Sequence, residues 1–248
     1  MLDLLVKAID VHSHYNHGAK FDTKISPTYS ADIDFLKNER LRLCVEKMIC
    51  CSFASCISDE IIYQENEHCK NLCSNDDFLF QWVVVDPRKS QTVKQAQEFL
   101  KNPKVLGIKI HSVCHKYSFI DYADEIFALA SEYKKSVIMH PDDQPEKIAT
   151  IAGKYKDTSL ILAHLGCVEH VNALACAENV YADTSGNASS QNNVIEYAVK
   201  RVGADKILFG TDTYSCAFQK GRILLADISD ADKRKILYEN AEKLLGLK

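Results

Sequence analysis

The stretch AIDVHSHYNH, residues 8 to 17, places two imidazoles one residue apart directly after an apolar run. Side chains of a strand alternate between faces, so His12 and His14 are expected on one face with Asp10, and Val11 and Ser13 on the other. Two imidazoles side by side on a pleat suggest a metal ion. A pair of histidines that is exposed or locally hydrogen-bonded would read the same way, so the rest of the chain has to decide. Of its nine histidines, five end strand-like runs: His12 and His14 the first, His111 the run VLGIKIHS, His140 SVIMHPD and His164 SLILAHLG. Lys109 stands two residues before His111, and Asp212 closes DKILFGTD. His17, His68, His115 and His170 fall in expected loops or helices, where solvation or a local hydrogen bond accounts for them.

One polar residue at the end of a buried strand would simply bond to a neighbouring loop. Several at the same end of different strands converge, and burying them without a shared partner would cost several kcal/mol. A divalent cation satisfies them together. Imidazole and carboxylate suit zinc, with manganese, iron or nickel as alternatives.

Such convergence needs parallel strands with short loops at one end. Runs rich in Val, Ile and Phe occur at residues 8–14, 45–53, 78–86, 105–112, 136–140, 159–165, 180–184 and 206–212, each pair leaving room for one helix. Apolar residues at helical spacing mark the intervening elements: Ala123, Ile126, Phe127, Ala130; Ile148, Ile151, Ala152, Tyr155; and Ile195, Ala198, Val199, Val202. Eight strands alternating with helices in 248 residues predict a single-domain (β/α)8 TIM barrel over residues 1–248, whose catalytic residues sit at the C-terminal strand ends. An open doubly wound sheet is the alternative, but DVHSHYNHGAKF lacks the glycine-rich phosphate turn of dinucleotide folds. The longest irregular stretch, residues 15–30, is expected to cover the site. Tyr15, Phe21, Tyr29 and the segment TYSCAFQKGR after Asp212 would be walls around a substrate of roughly one ring. A shallow mouth leaves room for a second subunit at the rim, so a homodimer is expected.

Composition narrows the function further. Hydrophobic residues make up 46% and charged residues 26%, ordinary globular usage, and the net charge of −4 comes without a block of Lys and Arg. Nucleic acid and anionic membranes are therefore not expected partners, and no run is long enough to cross a bilayer. The protein reads as cytoplasmic, acting on a small molecule. Its ten cysteines, spread through apolar stretches, read as buried thiols more than as a disulfide framework. Cys50, Cys51 and Cys56 lack the spacing of a zinc knuckle, and His68, Cys69 and Cys73, which could converge on one helix face, read as a packing patch more than as a ligand set.

In the motifs DVHSH, GIKIH, VIMHP, LILAHLG and ILFGTD, closed by ILYENAEKLLGL, the chain resembles the amidohydrolase superfamily, in particular its branch related to aminocarboxymuconate semialdehyde decarboxylase. Carried over position by position, the resemblance implies metal ligation by His12, His14, His140 and Asp212, with His164 beside the reacting water. His164 and Asp212 are then the catalytic candidates, and Lys109 and His111 the substrate-binding ones. One metal ion is expected, most simply zinc. Binuclear relatives imply an alternative in which a carbamylated Lys109 bridges two metals.

Three functions are compatible with these ligands. The first expectation is a hydrolase that uses a metal-activated water on a small amide, lactone or related carbonyl compound. The alternative is a lyase, a metal-dependent non-oxidative decarboxylase of a small unsaturated or aromatic carboxylic acid. A non-catalytic barrel with a structural metal is the third. A substrate carboxylate would call for a cationic anchor, for which Lys109, Arg88, Lys116, Lys220 and Arg222 are available.

Overall fold

Eight parallel strands alternate with helices along the chain and hydrogen-bond in sequence order into a nearly closed single-domain (β/α)8 TIM barrel. The computed structural model describes residues 3–15, 31–142, 144–186, 191–213 and 215–247. The strands are β1 (Ala8–Tyr15), β2 (Val45–Ser52), β3 (Leu79–Val84), β4 (Val105–Ile110), β5 (Ser136–Met139), β6 (Leu160–Leu162), β7 (Val180–Asp183) and β8 (Ile207–Leu208). Each starts within one residue of its expected position. Several end earlier than expected, because His111, His140, His164 and Asp212 have already left the ladder for the loops beyond it.

Two apolar layers hold the barrel. The helices press their buried stripes on the outside of the sheet, as Ala123, Ile126, Phe127 and Ala130 do from the helix Ala123–Glu132. The interior is filled by residues from seven strands, among them Ile9, Val11, Ile49, Trp82, Leu106, Ile138, Ile161 and Leu208. Trp82 is fully buried there, and its indole N–H donates to Val11 O at 2.8 Å, so the polar end of this large side chain is satisfied.

The barrel closes through an irregular segment. Beyond β8, Phe209 O accepts from Val11 N at 3.0 Å, while Thr211 N and Asp212 N donate to His12 O at 3.1 and 2.6 Å. The register of β1 on β2 shifts between Asp10 and Ser13. Val11 therefore joins the interior cluster although its neighbour His12 also points inward, to the cavity described below. This corrects the strict alternation that put Asp10 beside the two histidines. Asp10 instead accepts from Thr211 Oγ1 at 2.6 Å, Thr211 N at 3.0 Å and His12 N at 3.0 Å, tying the irregular part of β1 to the closing segment. Such irregularities re-aim side chains at barrel rims.

Among the described residues no helix is long and apolar enough to cross a membrane.

Candidate active site

A cavity of about 210 Å³ opens at the C-terminal strand ends and is lined by His12, His14, Lys109, His111, His140, His164 and Asp212, together with Phe53, Cys56 and Cys114. All seven residues singled out in the sequence thus meet in one cavity, although they come from five strands.

They are not equivalent. His12 Nε2, His14 Nε2 and Asp212 Oδ1 converge: Asp212 Oδ1 lies 3.4 Å from the first nitrogen and 3.0 Å from the second. The ligand atoms of these three residues lie within 4.8 Å of one another. The buried Asp183 carboxylate at the end of β7 lies 2.9 Å from His12 Nδ1. A proton on Nδ1 serves that contact and leaves the Nε2 lone pair facing the cavity, the orientation that a carboxylate imposes on a metal-ligating histidine. Lys109 Nζ meets this lone pair at 2.8 Å. Two imidazole nitrogens and a carboxylate oxygen aimed at one point form a donor set that a divalent cation fits.

His140 lines the cavity outside that group of three. Its ring stacks on His111 with centroids 4.3 Å apart and meets His164 edge-on at 4.9 Å. Ser185 links His164 to the inner group, its Oγ lying 2.9 Å from Nδ1 of both His164 and His12.

The backbone at the rim is unusual. His164, Asp212 and Thr213 have φ of +60°, +57° and +58°. Residues other than glycine seldom adopt this region, and it costs on the order of 1–3 kcal/mol. Local hydrogen bonds hold the conformation. Thr213 Oγ1 accepts from His14 N at 2.7 Å and donates to His14 O at 2.8 Å, and Asp183 Oδ1 accepts from His164 N at 3.3 Å and Ser185 N at 2.8 Å. Gly186 has φ +70°, and a Cβ there would stand 2.7 Å from His164 Nδ1.

Burial and charge split the imidazoles. Burial holds His12 and His140 below the ordinary imidazole range and His111 at about 4, so all three favour the neutral form that ligates or accepts. For His14 burial works the same way, but the sulfur of Cys56 and the Asp212 carboxylate outweigh it and raise the group to about 9. Burial would raise Asp212, but its hydrogen bond with His14 and the imidazoles around it keep it below the usual carboxylate range.

Other expected residues lie elsewhere. Arg88 pairs with Asp86 at 2.7 Å and donates to His115 O, Arg222 donates to Gln191 O, and Lys220 is buried among backbone carbonyls. Lys116 lines a separate depression. Of the five Lys and Arg anchors considered, Lys109 is therefore the one that lines the cavity. Tyr15 is buried, its hydroxyl donating to Glu65 O, so it packs behind the site and is not a wall of it. Phe21, Tyr29 and Tyr214 lie outside the described residues. All ten cysteines are free, and six of them are buried. Sequence reasoning missed Asp183, Ser185 and the thiols beside His14; the acidic residue closing the seventh strand run was the available signal for the first.

Residues 61–247 match the amidohydrolase family. Comparison with curated proteins gives no match. Among solved structures, 2,6-dihydroxybenzoate decarboxylase from Rhizobium superposes with a TM-score of 0.76 at 14% identity, covering 97% of this chain and 99% of that one. Dihydroxybenzoic acid decarboxylase from Polaromonas, with bound manganese and the inhibitor 2-nitroresorcinol, gives 0.74 at 17% identity and 97% of each chain. 5-Carboxyvanillate decarboxylase from Novosphingobium aromaticivorans, complexed with manganese and a nitrobenzoic acid, gives 0.69 at 15% identity, covering 94% of this chain and 85% of that one. At such identities the likeness shows the shared barrel. The order of the expected functions is nevertheless corrected: hydrolysis of an amide or lactone stood first, whereas these structures are decarboxylases. The physical reason for the error is that histidine and carboxylate ligands serve both reactions, so the ligand motifs do not rank them.

Proposed function

The chain belongs to the amidohydrolase family, and from that premise we propose that it is a metal-dependent decarboxylase of a small aromatic or unsaturated carboxylic acid. The observation that carries this is the cavity itself: about 210 Å³, with His12, His14 and Asp212 converging beside Lys109 and three further imidazoles. That volume suits a substrate of about one ring, and Lys109 in the lining suits an acid. The decarboxylases with the same barrel act on, or are inhibited by, compounds of this size.

In this reading one divalent ion is held by His12, His14 and Asp212, with His140 as a further ligand and Lys109 unmodified. Zinc suits the imidazoles; manganese, present in three of the similar structures, is the ion to load first. When bound, the ion supplies Lewis acidity to an oxygen of the substrate beside the reacting carbon.

The side chains do the rest. Lys109 and His111 hold the substrate carboxylate and turn its plane relative to the ring. His164, its Nδ1 engaged by Ser185, delivers a proton to the ring carbon that bears the carboxylate. The carbon–carbon bond then breaks, its electron pair returns to the ring, and carbon dioxide leaves. Neutral His111 and His140 keep the cavity free of excess positive charge.

The test is a substrate panel on manganese-loaded protein, with dihydroxybenzoates and carboxyvanillate beside lactones and cyclic amides. Release of carbon dioxide with loss of the acid is the expected result. Turnover of a lactone or amide alone would overturn the proposal.

A further inference from the structure

Behind His14, on the side away from Asp212, two thiols form a second donor set that the proposed reaction leaves unused. His14 Nδ1 lies 3.4 Å from Cys51 Sγ, which lies 3.6 Å from Cys56 Sγ. All three ligand atoms fall within 4.8 Å of one another, and all three residues are buried. Cys51 stands near the end of β2 and Cys56 on the short helix Phe53–Ile57 that follows, so the turn from strand to helix brings the sulfurs together. Neither thiol is in a disulfide.

The geometry points to a binding site for a thiophilic divalent cation, zinc foremost, made by His14, Cys51 and Cys56. Zinc binds sulfur at about 2.3 Å and imidazole nitrogen at about 2.0–2.1 Å, so tetrahedral angles set two sulfurs about 3.8 Å apart and sulfur and nitrogen about 3.5 Å apart. The two distances above are already close to those edges. Cys56 lines the cavity, which gives the ion a way in and leaves its fourth position open there. Binding displaces the thiol protons to solvent. Manganese, which prefers oxygen and imidazole, is a poor match for the two sulfurs.

Sharing His14 has a consequence, which rests on the metal centre proposed above. A neutral imidazole has one lone pair, so the ring ligates a metal either beside the thiols through Nδ1 or beside Asp212 through Nε2. A thiophilic ion in the second site therefore withdraws His14 from the first and weakens manganese there.

Reduced, metal-free full-length protein titrated with cadmium should show a thiolate-to-metal charge-transfer band that saturates at one equivalent. The band should be lost in Cys51→Ser and in Cys56→Ser but kept in Cys73→Ser, because Cys73 belongs to a different buried thiol group with Cys50 and Cys69. X-ray absorption of wild type with one equivalent of zinc needs no variant; two sulfurs at about 2.3 Å are expected. A shell without sulfur, or a band that survives in both serine variants, overturns the site. One equivalent of cadmium should also raise the Kd for manganese, read from the free-ion paramagnetic resonance signal, by about tenfold in wild type and far less in Cys56→Ser. Manganese binding that ignores cadmium in wild type overturns the antagonism. Wild type that never binds manganese overturns the proposed metal centre instead, and the band and the sulfur shell then judge the thiol site alone.

Discussion

Asp183 Oδ2 lies 2.9 Å from His12 Nδ1, with the two side chains 0% and 1% exposed. A carboxylate buried this completely against one imidazole nitrogen sets the tautomer of the ring and aims the other nitrogen. Asp183→Asn should therefore weaken manganese binding by about 10- to 100-fold while the thermal transition stays cooperative. Unchanged affinity would reduce Asp183 to a packing role.

The metal centre itself is tested by removing ligands. His12→Ala should lose most bound manganese, because it strips one of the three converging atoms, and His140→Ala should lower occupancy as well. Metal content of protein purified without chelator reads both. Full occupancy in both variants would sink the ligand assignment, and two equivalents of manganese in wild type, an ion that the thiol site takes poorly, would favour the bridged alternative at Lys109.

His164→Asn should keep the metal and lower turnover by about 10²- to 10⁴-fold, the usual contribution of a general acid or base. Loss of the metal in place of turnover would move His164 into the ligand set.

Gly186→Ala probes the support of the same histidine. The backbone there has φ +70°, and the added methyl would stand 2.7 Å from His164 Nδ1, so the ring must shift. Turnover should fall while manganese affinity holds within a factor of about two, with a stability loss of about 1–2 kcal/mol from the strained backbone. Wild-type turnover in this variant would show that His164 tolerates displacement.

Far from the cavity, Lys220 donates to Val6 O at 2.6 Å, Leu4 O at 3.3 Å and Leu43 O. Lys220→Met keeps the bulk and leaves these carbonyls without their charged donor. A loss of about 2–4 kcal/mol is expected, seen as a fall in Tm of roughly 5–15 °C at this chain length. Full activity per folded molecule should remain, and an unchanged Tm would contradict the role.

Much of the barrel is local information. Alternating apolar runs and helical stripes placed all eight strand starts, and the polar residues at the run ends marked what the cavity gathers, because strand and helix periods are written in neighbouring residues. The features that give these residues distinct roles are not local. The register shift in β1 turns both Val11 and His12 inward, and it depends on how residues 209–212 close against that strand. Asp183 holds His12 from 171 positions away, and Ser185 joins His12 to His164 only once β7 lies beside β6. Cys51 looked like core material in the sequence, and its sulfur meets His14 only through the pairing of β1 with β2. The sequence by itself determined the fold and the histidines that meet. Which imidazole nitrogen faces a neighbour's carboxylate, thiol or hydroxyl was decided by contacts that exist only after the barrel has closed.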